Sequence, residues 1–224
     1  MSTVLHVLDA INSPADVKKL SVEEMKQLAE EMRQKILQKD SDVGGHVGPN
    51  LGVVELTIAF HYVFDSPKDK IVWDVSHQSY GHKLLTGRKN GFEKGHYREV
   101  SGYSNQHESK HDYFTVGHTS TSISLATGLA KARDLKKESG NVVAFIGDGS
   151  LSGGLAFEGL NNGGVLQSNL IVLVNDNEMS IDENHGSLYK NLAELRQTNG
   201  KSSNNLFKAM GFDYRYVDNG NDLE

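Results

Sequence analysis

The chain has 224 residues, long enough for one large α/β domain with a real core. Its 23 Lys+Arg against 29 Asp+Glu give a formal net charge of −6, spread along the chain rather than blocked. That balance argues against nucleic acid or an anionic membrane as the main partner. Cysteine is absent, which rules out disulfides and thiolate metal sites and is compatible with a reducing cytosol. No apolar stretch approaches the roughly 18 residues of a membrane span, and Met1-Ser2-Thr3-Val4 lacks the features of a signal peptide.

In chain order, residues 1–19 with Asn12-Ser13-Pro14 read as an extended lead-in. Ser21-Val22-Glu23-Glu24 is a capping box that opens a helix to about Lys39, with Met25, Leu28, Met32, Ile36 and Leu37 at helical spacing. Residues 44–50 form a loop, followed by an apolar helix over about 51–63. Ile71-Val72-Trp73-Asp74 is a short buried strand, and the polar residues 87–112 read as a surface excursion. A long helix runs from Gly117-His118-Thr119-Ser120 to about Lys137, its small residues Ala126, Gly128 and Ala130 permitting close packing. Then come a strand over 142–146, a small-residue helix over about 152–162 and a strand over 170–174. A weak helix near 188–195, a linker at 199–205, a helix near 204–210 and a last strand at about 213–217 complete the pattern. No internal repeat is present. The expected fold is α/β, a mostly parallel sheet with helices on both faces.

The most informative stretch is Gly147 to Asn177. Strand, Gly147-Asp148-Gly149 turn, helix and strand make one βαβ unit, and the second strand ends in Asn175-Asp176-Asn177. Ligands of open α/β sheets sit at the carboxyl ends of the strands. Asp148 and Asn177 are hard oxygen donors suited to a divalent cation that takes its other ligands from phosphate and water. Gly149 and Ser150 leave backbone amides near a helix N-terminus, where a diphosphate is favoured. The stretch reads as a Mg²⁺–diphosphate site, against the bland alternative of two unrelated turns.

Three histidines follow glycine-rich or strand-end contexts: His46, His77 and His118. Neutral imidazoles there can donate to phosphate or move protons near neutrality. A zinc site built from the same three is the rival interpretation. His6, His61, His96, His107 and His111 read as surface or hydrogen-bonded structural residues. The hydroxyls and amides of Gly117-His118-Thr119-Ser120-Thr121-Ser122 suit phosphate, or an ordinary helix cap.

Taken together, Leu8 to Leu223 resembles the N-terminal part of the 1-deoxy-D-xylulose-5-phosphate synthases, thiamine-diphosphate enzymes related to transketolase. The matching blocks are Leu8 to Pro14, Gly44-Gly45-His46, Leu51 to Thr57, Ile71 to Gln78, His82 to Arg88, Gly117 to Ser124, Gly147-Asp148-Gly149 and Asn175 to Ile181. The resemblance implies that Asp148, Asn177 and the Met179 carbonyl bind Mg²⁺. It assigns thiamine diphosphate to His77, Gly117, His118, Thr119, Gly149, Ser150 and Asn177, and proton transfer to His46 and His77. It implies a cytoplasmic transferase, a homodimer when complete, that joins pyruvate to glyceraldehyde 3-phosphate with loss of CO₂ in the supply of isoprenoid and thiamine precursors. The family's activating glutamate and substrate-phosphate arginines belong to a later, pyrimidine-binding domain. Residues 1–224 are therefore expected to form the diphosphate-binding domain, without the pyrimidine-binding and C-terminal domains and inactive alone. The alternatives are the N-terminal subunit of a split transketolase-like enzyme and a non-catalytic binding module. Two features depart from the family pattern: the short segment between Ile181 and Gly211, and Gly48-Pro49-Asn50 in place of small residues.

Overall fold

A computed structural model describes residues 6–179 and 182–224. The described residues fall into two compact units. The first holds the residues up to Asp69, Ser76–Gly117 and Asn221–Glu224; the second holds Lys70–Val75 and His118–Gly220.

The first unit is mainly helical: α1 (Val7–Ala10), α2 (Pro14–Val17), α3 (Val22–Val43), α4 (Val47–Leu51) and α5 (Val54–Val63). The expected extended lead-in is instead α1 and α2. Ser13 and Asp16 form a capping box and Pro14 takes the first helical position, where its missing N–H costs nothing. The capping box of α3 is present, with Ser21 Oγ accepting from Glu24 N and the Glu24 carboxylate accepting from Ser21 N. The helix runs past Lys39 to Val43 and stops at Gly44, whose φ of 78° suits glycine. Part of the expected 44–50 loop is α4, since Pro49 falls within its first turn. Met25, Leu28, Met32 and Ile36 of α3 pack with Val54 and Ile58 of α5, Tyr80, Leu84 and Phe92 in one apolar core.

The second unit carries the sheet: β1 (Lys70–Trp73), then, after α6 (Tyr80–Lys83) of the first unit, α7 (Ser122–Lys136), β2 (Val142–Gly147), α8 (Asp148–Leu151), α9 (Gly154–Leu166) and β3 (Leu170–Asn175). All three strands are parallel, in the order β1-β2-β3, with Trp73 opposite Phe145 and Gly147 opposite Asn175. Right-handed crossovers joining sequential strands put their helices on one face, and α7 packs directly against α9. Every residue of β2 from Val142 to Ile146 is at most 1% exposed. Successive side chains point to opposite faces, so both faces of the central strand are covered. Contact between α7 and α9 is close at Gly159, where a Cβ would lie 2.9 Å from Ser124 N. Ala126 and Ala130 are buried as expected, but Gly128 faces open space and serves no packing. The helix expected over about 152–162 is α9, which runs on to Leu166, and α8 is an additional short turn before it. Downstream come α10 (Ser187–Gln197) and α11 (Leu206–Ala209).

Two further expectations are corrected. Residues 213–217 are not a strand: Tyr214 stacks on Phe207 and Tyr216 donates to Asp218, so the aromatic pattern serves local packing. Residues 87–112 are more than a surface excursion. Short helical turns at Leu84–Arg88, Lys89–Phe92 and Tyr97–Glu99 bury Phe92 and Val100, and their charges are paired inside. Arg88 donates to both Asp112 oxygens at 2.8 and 2.9 Å, and Lys83 donates to Glu108 at 2.5 Å. No described helix is long and apolar enough to cross a membrane.

Candidate cofactor site

Within the second unit, the three parallel strands end at one edge. β2 runs out at Gly147, so Asp148 opens α8; β3 runs out at Asn175, opposite Gly147, so Asp176 and Asn177 follow beside it. Asp148 is only 2% exposed. Its Oδ2 accepts from Asn184 Nδ2 at 3.0 Å. Burial, reinforced by the nearby charge of Asp176, raises the Asp148 carboxyl to about 6. Asp176 and Glu178 both accept from Arg196. Asn177 and Met179 are exposed, and Asn177 Oδ1 accepts from Met179 N at 3.1 Å, an Asx turn. Ser180 and Ile181, the end of the matching block, lie outside the described residues.

This donor set fits a hard divalent cation. One buried carboxylate, one amide oxygen and a main-chain carbonyl would be oxygen ligands, and Asp148 and Asp176 together leave a negative charge that a cation would offset. Among the described residues no three His, Cys, Asp or Glu side chains group to hold a metal, so most ligands would come from phosphate and water. The zinc alternative has no such group to rest on.

Beside this edge, a carboxylate shapes the loop before α7. Asp74, one residue past β1 and 1% exposed, accepts from Ser120 N at 2.8 Å and Ser122 N at 2.9 Å. It thereby caps α7 and holds Ser120 at a φ of 70°, in the left-handed region. Ser120 Oγ donates to Ser150 O at 2.7 Å, joining the His118-Thr119-Ser120 loop to the Asp148-Gly149-Ser150 turn. Gly153 permits this approach: a Cβ there would sit 1.9 Å from Ser120 Oγ. The structure therefore brings His118, Thr119, Gly149 and Ser150 together. Gly117, His118 and Thr119 are exposed, and His118 Nδ1 lies 2.8 Å from Thr119 O.

The first unit pairs two of the histidines. His46 ends the glycine-rich loop and His77 follows the turn after β1, with ring centroids 5.2 Å apart and planes at 77°. The Tyr103 ring lies 5.9 Å from His46. Ser76 is held by donating to Val116 O at 2.9 Å and accepting from Ser104 N at 2.8 Å. Of the other histidines, His61 is fully buried, its Nε2 2.9 Å from His82 Nδ1, and His82 Nε2 lies 3.1 Å from Asp112. The structural reading of His61 stands, as part of a buried chain with His82 and Asp112.

Asp74, Asn184, Asp176 and Arg196 escaped the sequence reading as site residues. Asp74 and Asp176 had a signal there, each standing in a matching block, Ile71 to Gln78 and Asn175 to Ile181. Asn184 and Arg196 depend on tertiary contacts, Asn184 with Asp148 and Arg196 of α10 with Asp176 and Glu178.

The chain matches the sequence model of 1-deoxy-D-xylulose-5-phosphate synthase over residues 8–206. It is 54% identical over 191 residues to 1-deoxy-D-xylulose-5-phosphate synthase of Heliobacterium modesticaldum, covering 85% of this chain and 30% of that protein. With the Carboxydothermus hydrogenoformans protein of the same name it shares 56% identity, covering 85% and 31%. The synthase 1 of Geobacter metallireducens is 57% identical over 183 residues, with 81% of this chain and 29% of that protein covered. The chain thus spans about 30% of the length of these relatives. Among solved structures, a transketolase from Leishmania mexicana superposes with a TM-score of 0.64 at 21% identity, over 87% of this chain and 31% of that one, which supports the α/β fold. By sequence match and fold, the chain belongs to the 1-deoxy-D-xylulose-5-phosphate synthase family, aligning with its N-terminal part.

Proposed function

We propose that this chain is the Mg²⁺- and thiamine-diphosphate-binding part of a cytosolic, homodimeric 1-deoxy-D-xylulose-5-phosphate synthase, which joins pyruvate to glyceraldehyde 3-phosphate with loss of CO₂. One observation carries the proposal. Asp148 and the 175–177 turn stand side by side at the ends of adjacent parallel strands, and Asp148 is a buried carboxylate with a raised pKa. Asp148 Oδ, Asn177 Oδ1 and the Met179 carbonyl would hold Mg²⁺, and the amides of Gly149 and Ser150 would take the diphosphate. His118 and Thr119, tied to this turn through Ser120, would face the same anion, next to Gly117. When bound, thiamine diphosphate supplies the nucleophile and the electron sink for decarboxylation and carbon–carbon bond formation. His46 and His77 would move protons at imidazole nitrogens, the role that neutral histidines suit near pH 7. Residues 1–224 would act as the diphosphate-binding domain. The aminopyrimidine and substrate phosphate would be met by the pyrimidine-binding region that the longer relatives carry.

Calorimetry on wild type and Asp148→Asn tests the metal–diphosphate assignment. The wild-type chain should bind thiamine diphosphate weakly and only with Mg²⁺, and the variant should not bind. Because the substitution removes a buried charge, the ligand-free variant should melt at or above the wild-type temperature, by about 1 kcal/mol of added stability. Equal binding by both proteins would overturn the assignment.

A further inference from the structure

We propose that Asn50 is a positioning residue that holds the His46–His77 pair in register. The amide is 1% exposed, and its side-chain hydrogen bonds go to the backbone around the two histidines. Its Nδ2 donates to His46 O at 2.7 Å and to His77 O at 2.8 Å, and its Oδ1 accepts from Tyr80 N at 2.9 Å. One planar side chain thus links segments 27 to 30 positions apart in sequence. An amide suits this junction because it offers two donors to two carbonyls and an acceptor to one N–H. A carboxylate would face both carbonyls with lone pairs, and an apolar residue would leave His77 O and Tyr80 N without these partners and His46 O with the residue-50 main-chain N–H at 3.4 Å.

The segment that Asn50 secures needs securing. Val75 and Ser76, directly before His77, have φ of 54° and 68°, a left-handed turn that a β-branched valine adopts rarely. Such strain persists only where surrounding contacts over-determine it, and it concentrates at functional sites. Here the contacts are Ser76 to Val116 and Ser104 on one side of the turn, and Asn50 to His77 on the other. Asn50 touches no reacting atom in this account. It sets where the two imidazoles stand, through their main chains. The inference rests on the proposed proton-transfer role of His46 and His77, and it gives a reason for the Gly48-Pro49-Asn50 sequence: α4 delivers the amide one helical turn after His46.

Nuclear magnetic resonance of the full chain tests it without cofactor. In wild type, the His46 and His77 rings should show an inter-ring cross-peak. Asn50→Asp should lose that cross-peak while the core resonances of α3 and α5 remain in place. Asn50→Ser, which keeps one donor, should weaken the cross-peak. Thr57→Val removes a buried hydrogen bond to Val53 O in the same unit and should lower the melting temperature yet leave the cross-peak intact. A cross-peak unchanged in folded Asn50→Asp would overturn the proposal. So would unfolding of both Asn50 variants where Thr57→Val stays folded, because Asn50 would then be a folding determinant only. Neither result bears on Mg²⁺-dependent cofactor binding, so failure here and failure of the functional reading are distinguishable.

Discussion

Removing the Asp74 carboxylate should be among the most damaging single changes in the second unit. Its two oxygens accept from Ser120 N and Ser122 N at 2.8 and 2.9 Å, in a site where Asp74 is 1% exposed. Asp74→Ala leaves both amides without an acceptor, and each buried unpaired donor costs about 1–3 kcal/mol. Loss of negative charge at the start of α7 adds about 0.5 kcal/mol. The expected total is about 3–5 kcal/mol, a large share of a stability that for a domain is about 5–15 kcal/mol. Asp74→Asn keeps one acceptor but turns an NH₂ toward the second amide, and should cost about 2–3 kcal/mol. Urea unfolding followed by circular dichroism gives the free energies, and hydrogen exchange locates them. Ser120 and Ser122 amides should exchange slowly in wild type and at least tenfold faster in Asp74→Asn, about 1.4 kcal/mol of lost protection. If Asp74→Ala costs less than about 1 kcal/mol, the typical worth of an ordinary cap, and leaves both amides protected, the capping argument is wrong.

Acid should destabilise the first unit before its carboxylates titrate. Burial, with the neighbouring charges of His82 and Lys110, depresses His111 to about 4, and burial also holds His61 and His82 below the usual histidine value. The unfolded chain therefore takes up these protons first. Stability is full above about pH 6.5 and falls as pH drops toward 4, by about 3 kcal/mol for His111. Asp148 has the opposite sign in this window, because its raised pKa favours the protonated folded state. The decisive quantity is thus the difference between wild type and His111→Gln, whose slope between pH 6.5 and 4.5 should be shallower. Equal slopes would count against it. Two glycine substitutions should diverge in sign. Gly128→Ala meets nothing within 4 Å and should stabilise α7 by about 0.8 kcal/mol. Gly159→Ala places a Cβ 2.9 Å from the Ser124 backbone and should cost about 1–2 kcal/mol. Thermal melts that rank the two alike would refute the α7–α9 packing account.

Periodic and punctuated stretches were legible in the sequence. β2 and β3 are apolar runs bounded by glycine or asparagine, and α3 has both a capping box and a helical stripe, so local physics and tertiary structure agree on them. The Gly147-Asp148-Gly149 and Asn177 positions were legible for the same reason, since strand ends can be counted. The failures share a cause. α2 was hidden because Ser-Pro signals a turn and a helix start equally, and only Asp16 reaching back to Ser13 decides. Residues 87–112 look solvated by composition, yet Arg88 and Lys83 find buried carboxylates tens of positions away, pairings that composition cannot show. Tyr214 and Tyr216 alternate like a strand but have no strand beside them to pair with among the described residues. Asn50 and Asp74 act on backbone groups distant in sequence, so their roles need coordinates.

The central claim is that the β2 and β3 ends grip a Mg²⁺-bound diphosphate, and amide chemical shifts of the 224-residue chain test it most directly. Adding thiamine diphosphate with Mg²⁺ should move the resonances of Asp148 to Ser150, His118 and Thr119, and Asn175 to Met179. Chelation of the metal should reverse the changes, and thiamine without phosphate should cause none. Shifts confined to other residues, or identical shifts with and without Mg²⁺, would contradict the account.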